Sequence, residues 1–343
     1  MINKERRKNF NIGIELLRLI ISFLIVILHI QPINHKNYLV FITYFFLGLY
    51  TPEFFLISFY FSSKNFSSKE IIVKKKRLER ILLPYIIWPI IIYLENIIYV
   101  YIKTKKLTFS LKILFFQILV GRKINDVFWF QFNLIINSII IYIIRYSFPT
   151  NLFFEVLVIL ICFAIFFNIQ LFNLKIFSIY KISIFGTVGN LSFSIIYSIT
   201  GLFLGSIGFL SRINKNNRFK ILFFYPLFIY ILKIYNKKLF QIFPRIKCLI
   251  IELYIIVLFV LFGTIPFDLI LNKKSINLIR QITSFTGGVY YIHLFIIKLL
   301  SRFSKAVRDR TLMSCIIVYI ICFLICVIFS FILKQSKFKY LFI

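Results

Sequence analysis

The sequence predicts an all-α fold, a polytopic membrane helix bundle of about ten transmembrane helices with the N- and C-termini in the cytoplasm. Three observations lead there. Of the 343 residues, 60% are hydrophobic and 20% aromatic, with 45 Phe, and the mean hydropathy is +0.91; a soluble domain is closer to about half apolar. The apolar residues are strung into repeated runs of about 20, the length that crosses a bilayer as a helix. Lys and Arg, which set a net charge of +31, sit mainly between those runs, where they flank bilayer helices and meet anionic headgroups.

The same placement excludes function classes. No basic stripe with interleaved aromatics lies on a soluble segment, so nucleic acid is not an expected partner, whereas membrane lipid is. All five cysteines (Cys162, Cys248, Cys315, Cys322, Cys326) fall in apolar runs without a CxxC spacing. No metal site and no structural disulfide is expected. No linker, repeat or soluble domain is visible, so residues 1–343 read as one domain in a cell membrane, the cytoplasmic (inner) one.

Taken in order, the apolar runs place spans at 14–31, 38–61, 81–102, 126–146, 152–169, 184–210, 220–235, 248–271, 282–300 and 311–333. The run 111–121 is too short to cross unaided and reads as an interfacial or re-entrant helix. The first span follows a basic start (Lys4, Arg6, Arg7, Lys8) and has no small-residue cleavage site after it, so it doubles as the targeting signal. Seven Lys/Arg crowd the loop between spans 2 and 3 (Lys64, Lys69, Lys74, Lys75, Lys76, Arg77, Arg80), against Lys36 alone in the loop before. The positive-inside rule therefore puts the N-terminus and the 62–80 loop in the cytoplasm.

Several polar residues sit where lipid makes them expensive. Arg18 and His29 are eleven positions apart, which leaves them about 20° from one helix face and about 16 Å apart along the axis. Glu15, three residues before Arg18, shares that face and can pair with it. Taken by itself, span 1 is also satisfied if Arg18 snorkels to the inner interface and His29 sits near the outer one. In KKKRLERILLPYIIW, Arg77 and Arg80 are one turn apart at the mouth of span 3, where two guanidiniums suit phosphate or serve as a membrane anchor. TPEFFLISFYF places Glu53 and Ser58 in span 2, and a carboxylate there needs a partner or a proton. DVFWFQF sets Trp129 near an interface. TGGVYYIHLFI carries Tyr291 and His293 behind a Gly pair that permits close helix approach.

In order and topology these stretches resemble the acyltransferase-3 family of integral membrane acyltransferases. The resemblance rests on Arg18 and His29 in span 1, FFxxS (Phe54, Phe55, Ser58), RxxR before LLPY (Arg77, Arg80, then 82–85), Trp129-Phe130, and YxIH at 290–293. It runs from about residue 12 to 300, with the catalytic signature mainly in 12–90 and a second signature region at 284–296. Two departures stand out. Glu15-Leu16-Leu17-Arg18 replaces the family's Asp-Gly-Leu-Arg, and Ser58-Phe59-Tyr60 replaces Ser-Gly-Phe, where a Phe would narrow a channel.

The resemblance implies a membrane-bound O-acyltransferase that carries an acyl group, acetyl by family default, from cytoplasmic acyl-CoA to a sugar hydroxyl of a cell-surface or lipid-linked glycan. Acetyl-CoA would be a co-substrate, with no permanently bound cofactor. By motif position, His29, Arg18 and Glu15 would be catalytic, with His29 a general base or transient acyl acceptor. Arg77 and Arg80 would bind acyl-CoA phosphates. Glu53, Ser58, Trp129, Tyr291 and His293 would line the acceptor site or channel. Two other classes share the helix count and basic loops: a lipid-linked oligosaccharide polymerase or flippase, and a small-solute transporter using Glu53, Glu95 and Arg18.

Overall fold

A computed structural model describes residues 11–30, 50–67, 71–107, 109–120, 128–147, 183–212, 255–265, 267–303, 307 and 311–342, and every described element is helical. Besides two single turns at Phe209–Arg212 and Phe267–Ile270, the helices are α1 (Ile12–Ile30), α2 (Tyr50–Ser67), α3 (Ile71–Thr104), α4 (Leu111–Val120), α5 (Phe128–Ser147) and α6 (Ser183–Ser206). Then come α7 (Ile255–Thr264), α8 (Lys273–Thr283), α9 (Thr286–Phe303) and α10 (Leu312–Ile332), with a 3-10 helix at Lys337–Leu341. Expected spans 152–169 and 220–235 lie outside the described residues, as do 38–49 and 248–254.

Among the described residues, Ile12–Ile30, Arg77–Thr104 and Met313–Ile332 are long and apolar enough to cross a membrane, and α8 with α9 makes a fourth if that bent pair is one span. The bend is 48° and falls at 284–285, so α9 covers 286–300 of the span expected over 282–300 and starts four residues later. Its cause is local. Ser284 and Thr286 turn their hydroxyls back onto the carbonyls of Gln281 and Thr283 (2.6 and 2.9 Å) and so satisfy helix-end acceptors inside an otherwise apolar run. Asn272 caps the start of α8 by accepting from the Ser275 amide. With Lys273, Lys274 and Arg280 exposed and its other side packed on α1, α8 has the pattern of a helix lying in the membrane surface.

Other boundaries differ from expectation, those of α3 and α6 among them. α3 begins ten residues before the expected 81, because the basic turns around Lys74–Lys76 continue the helix beyond the apolar run. α6 stops at Ser206 instead of running to 210, and Gly208 at φ 62° supplies the left-handed residue that ends it.

Packing fixes the relative sense of the helices. Leu56 lies against Gly201, while Tyr60 and Ser63 lie against Gly205, so α2 and α6 run parallel. A side chain at either glycine would overlap α2 backbone, which makes this a small-residue contact of the kind that joins helices in lipid. Asn137 donates to Ser194 and Ser198 (3.0 and 2.9 Å) and Arg145 donates to Ser206 (2.6 Å), so α5 and α6 are also parallel. Near the start of α3, Arg77 meets Ser58 at the middle of α2. The two parallel senses are the ones the expected threading requires. The shared core is apolar and aromatic, with Ile14, Leu17, Ile21 and Ile25 forming the buried stripe of α1 at helical spacing.

Candidate active site

Arg18 anchors the first part of the site. Its guanidinium donates to both Glu15 carboxylate oxygens (2.9 and 3.2 Å) and to Thr286 Oγ1 (3.1 Å). Thr286 spends its own proton on the Thr283 carbonyl, so it can only accept from Arg18. The break between α8 and α9 thus places a hydroxyl where α1 carries its cation. Glu15 is buried and Arg18 is partly exposed, so the cation is held with one side open. The Asn11 side chain caps the start of α1 and also bonds the Gly263 carbonyl, fixing that end of α1 against α7.

Further along the same two helices, His29 and His293 meet, with ring centroids 5.0 Å apart and planes tilted by 43°. α1 and α9 therefore run parallel, joined first by Arg18 and Thr286 and then by two imidazoles. His293 is fully buried, whereas His29 is exposed. His293 Nδ1 lies 2.7 Å from the Tyr290 carbonyl oxygen, which can only accept. That contact requires the proton on Nδ1 and leaves a lone pair on Nε2, for which no hydrogen-bond partner lies among the described residues.

An aromatic wall surrounds this pair. Tyr290 sits 5.8 Å from His293, Phe130 5.0 Å from Tyr290, and Phe54 6.0 Å from both Tyr290 and Phe130. Trp129 packs on Phe55 (6.4 Å) and is half-buried among these rings. Glu53 is fully buried, and neither carboxylate oxygen has a hydrogen-bond partner among the described residues. The amides of Gln131 and Asn133 share that condition. Tyr291 lies beside Gln131 and within the field of Arg18; the Tyr291–Gln131 approach falls short of an ordinary hydrogen bond.

Arg77 and Arg80 part company. Arg77 reaches Ser58, at 3.4 Å from its hydroxyl and 3.5 Å from its carbonyl, and its guanidinium lies over the Phe59 ring at 5.0 Å. Phe59 is therefore the platform for this arginine. Arg80 is exposed and lies over the Tyr340 ring at 5.2 Å. Glu95, considered for a transport path, pairs with Arg302, which also covers Tyr99. No group of three or more His, Cys, Asp or Glu that could hold a metal lies among the described residues.

Of the residues picked out in the sequence, Glu15 with Arg18, His29 with His293, and Arg77 with Ser58 are brought together; Arg80 turns toward the C-terminal helix. Tyr290, the first residue of YxIH, joins the site as well, and Thr286 and Gln131 are members that the motif residues do not mark. Gln131 had a usable signal, an amide inside the apolar stretch FWFQF. Thr286 had none beyond its position before the Gly pair.

A family model described as an acyltransferase domain matches residues 11–334. No curated protein and no solved structure matches the chain.

Proposed function

The chain belongs to the acyltransferase-3 family of membrane acyltransferases, and from that premise we propose that it moves an acyl group, taken as acetyl, from cytoplasmic acyl-CoA to a sugar hydroxyl of a cell-surface or lipid-linked glycan. Membership of the family favours acyl transfer over polymerisation, flipping or solute transport. The observation that carries the mechanism is the meeting of His29 and His293, contributed by two helices far apart in the sequence.

On this reading Arg77 and Arg80 hold the donor's phosphates at the cytoplasmic mouth and the pantetheine arm runs along the α1–α9 seam. An arm of about 15–20 Å spans the roughly 16 Å from Arg18 to His29. His29, exposed, faces the acceptor. His293 sits behind it with a lone pair on Nε2, suited to receive an N–H from the His29 ring and so to leave the other His29 nitrogen basic. That is the arrangement of a base steadied by a buried partner. His29 takes the proton as the sugar oxygen attacks the thioester carbonyl. The C–O bond forms, the C–S bond breaks, and the departing thiolate takes up the proton that His29 removed, which returns the imidazole to its neutral form. An acyl-imidazole route through His29 uses the same residues in two steps.

Glu15 keeps Arg18 in place, and Arg18 offers positive charge beside the path of the arm. Trp129 and the Phe54–Phe130–Tyr290 wall supply ring surface for a sugar, and Glu53 and Gln131 supply buried polar atoms that a hydroxylated acceptor can satisfy. The test is transfer of radiolabelled acetyl from acetyl-CoA to an envelope glycan fraction by the purified, reconstituted protein. Label in the glycan that disappears with His29→Ala supports the proposal. Absence of label with wild-type protein across surface polysaccharide and lipid-linked fractions contradicts it.

A further inference from the structure

The chain continues past the family match into a C-terminal segment that is anchored rather than trailing. Ser336 caps the 3-10 helix Lys337–Leu341 by accepting from the Phe338 amide (3.1 Å). The Trp88 indole of α3 donates to the Leu341 carbonyl at 3.2 Å. Phe342 stacks on Phe329 of α10 at 5.0 Å and meets the edge of Trp88 at 5.7 Å. Its carbonyl packs against Gly288 so closely that any Cβ there would overlap it, so α9 must present a glycine for the segment to seat. Leu341 and Phe342 are both buried. Three helices thus hold this short element beside the start of α3.

Its other face is cationic. Lys337 pairs with Glu79 (3.4 Å). The Arg80 guanidinium and the Lys339 ammonium both lie against the Tyr340 ring, 5.2 and 5.5 Å from its centroid, and Lys339 Nζ also donates to the Lys334 carbonyl (3.4 Å). Among the described residues, no ion pair joins Arg80 or Lys339 to a carboxylate, and the nearby Glu79 pairs with Lys337. Two like charges against one ring repel each other, and an anion entering between them turns that repulsion into attraction. Arg77 lies one turn from Arg80 and feels its charge.

We infer that the C-terminal 3-10 helix is half of a phosphate-binding seat, in which Lys339 and Arg80, both against Tyr340, take the nucleotide end of the acyl donor. The inference rests on the reading of this chain as a user of acyl-CoA and adds a determinant outside the family-matched residues. A phosphate can come from a nucleotide or from a lipid headgroup, and the test separates the two.

The experiment titrates CoA into the full-length protein in nanodiscs of phosphatidylcholine, with and without phosphatidylglycerol, by calorimetry. The proteins compared are wild type, Lys339→Gln, Tyr340→Leu and, as a control at the other end of α3, Lys103→Gln. In neutral discs Lys339→Gln is expected to raise the Kd for CoA about fivefold to tenfold, the effect of losing one charge-assisted contact, with Lys103→Gln unchanged. Tyr340→Leu should weaken binding in the same direction with no change of charge. Equal Kd values for wild type, Lys339→Gln and Tyr340→Leu overturn the seat while leaving the acyl-CoA reading intact. Should phosphatidylglycerol weaken CoA binding to wild type but not to Lys339→Gln, with equal affinities in neutral discs, the seat takes lipid phosphate and the nucleotide assignment falls. Failure of wild type to bind CoA in either disc removes the acyl-CoA reading itself.

Discussion

Arg18 costs about 2.5–3.5 kcal/mol to bring into a helix centre on insertion scales, and the two Glu15 oxygens and Thr286 are what it gains in return. Glu15→Gln keeps the shape and removes the charge, so Arg18 loses its counter-ion while Thr286 remains. Fully buried pairs broken in this way lose about 3–5 kcal/mol, and the partial exposure of Arg18 should bring the loss below that range. A lower thermal midpoint of the purified protein is the expected reading. Arg18→Lys keeps charge but cannot reach Glu15 and Thr286 with a planar fork, and about a tenfold fall in kcat/KM is expected. An unchanged kcat/KM would leave Arg18 a membrane anchor. At the histidines, His29→Ala should lower transfer by at least about a hundredfold, the usual range for a removed base, and His293→Ala by less because it acts through His29. Equal and small losses in both would return the pair to packing. The residues on one face of α1 were legible from helical periodicity alone. The His29–His293 meeting was not, since no local period links α1 to α9 and only the packed bundle brings them together.

Helices meet where small residues allow it, and α2 on α6 is the clearest instance. Gly201→Leu would drive a side chain into the Leu56 backbone, which cannot yield as a flexible side chain would. The expected outcome is about 1–3 kcal/mol of destabilisation or outright failure to accumulate, read as loss of the monodisperse peak in fluorescence-detected size exclusion. Gly201→Ala should show a smaller loss in the same assay. Unchanged profiles for both would mean that α2 and α6 do not pack this closely. Element existence was legible wherever an apolar run was long, as for α1 and α10. Ends were less so. The break between α8 and α9 rests on Ser284 and Thr286 folding their hydroxyls onto backbone carbonyls, which hydropathy does not register. The early start of α3 was hidden because lysines near Lys74 read as a loop, yet they extend the helix without penalty to its backbone.

Across the whole molecule, Arg77, Arg80 and the C-terminal helix lie together at the end of the bundle where α3 begins, and the positive-inside argument puts that end in the cytoplasm. A cysteine at position 337 should react with a membrane-impermeant maleimide in inverted vesicles and stay unmodified in intact cells. A cysteine at 106, past the far end of α3, should show the opposite. The reverse pattern would invert the topology and move the basic cluster away from the cytoplasmic donor. On the proposed function, donor and acceptor then approach from opposite sides and meet along the α1–α9 seam, with His29 proposed as the group that faces the sugar.

That claim is tested most directly by NMR of surface glycans from the wild-type strain, a deletion strain and the deletion strain complemented with His29→Ala. The account predicts O-acetyl signals in the wild type that vanish in the deletion and do not return with His29→Ala expressed at wild-type level in the membrane. Acetyl signals that persist in the deletion, or that His29→Ala restores in full, would contradict it.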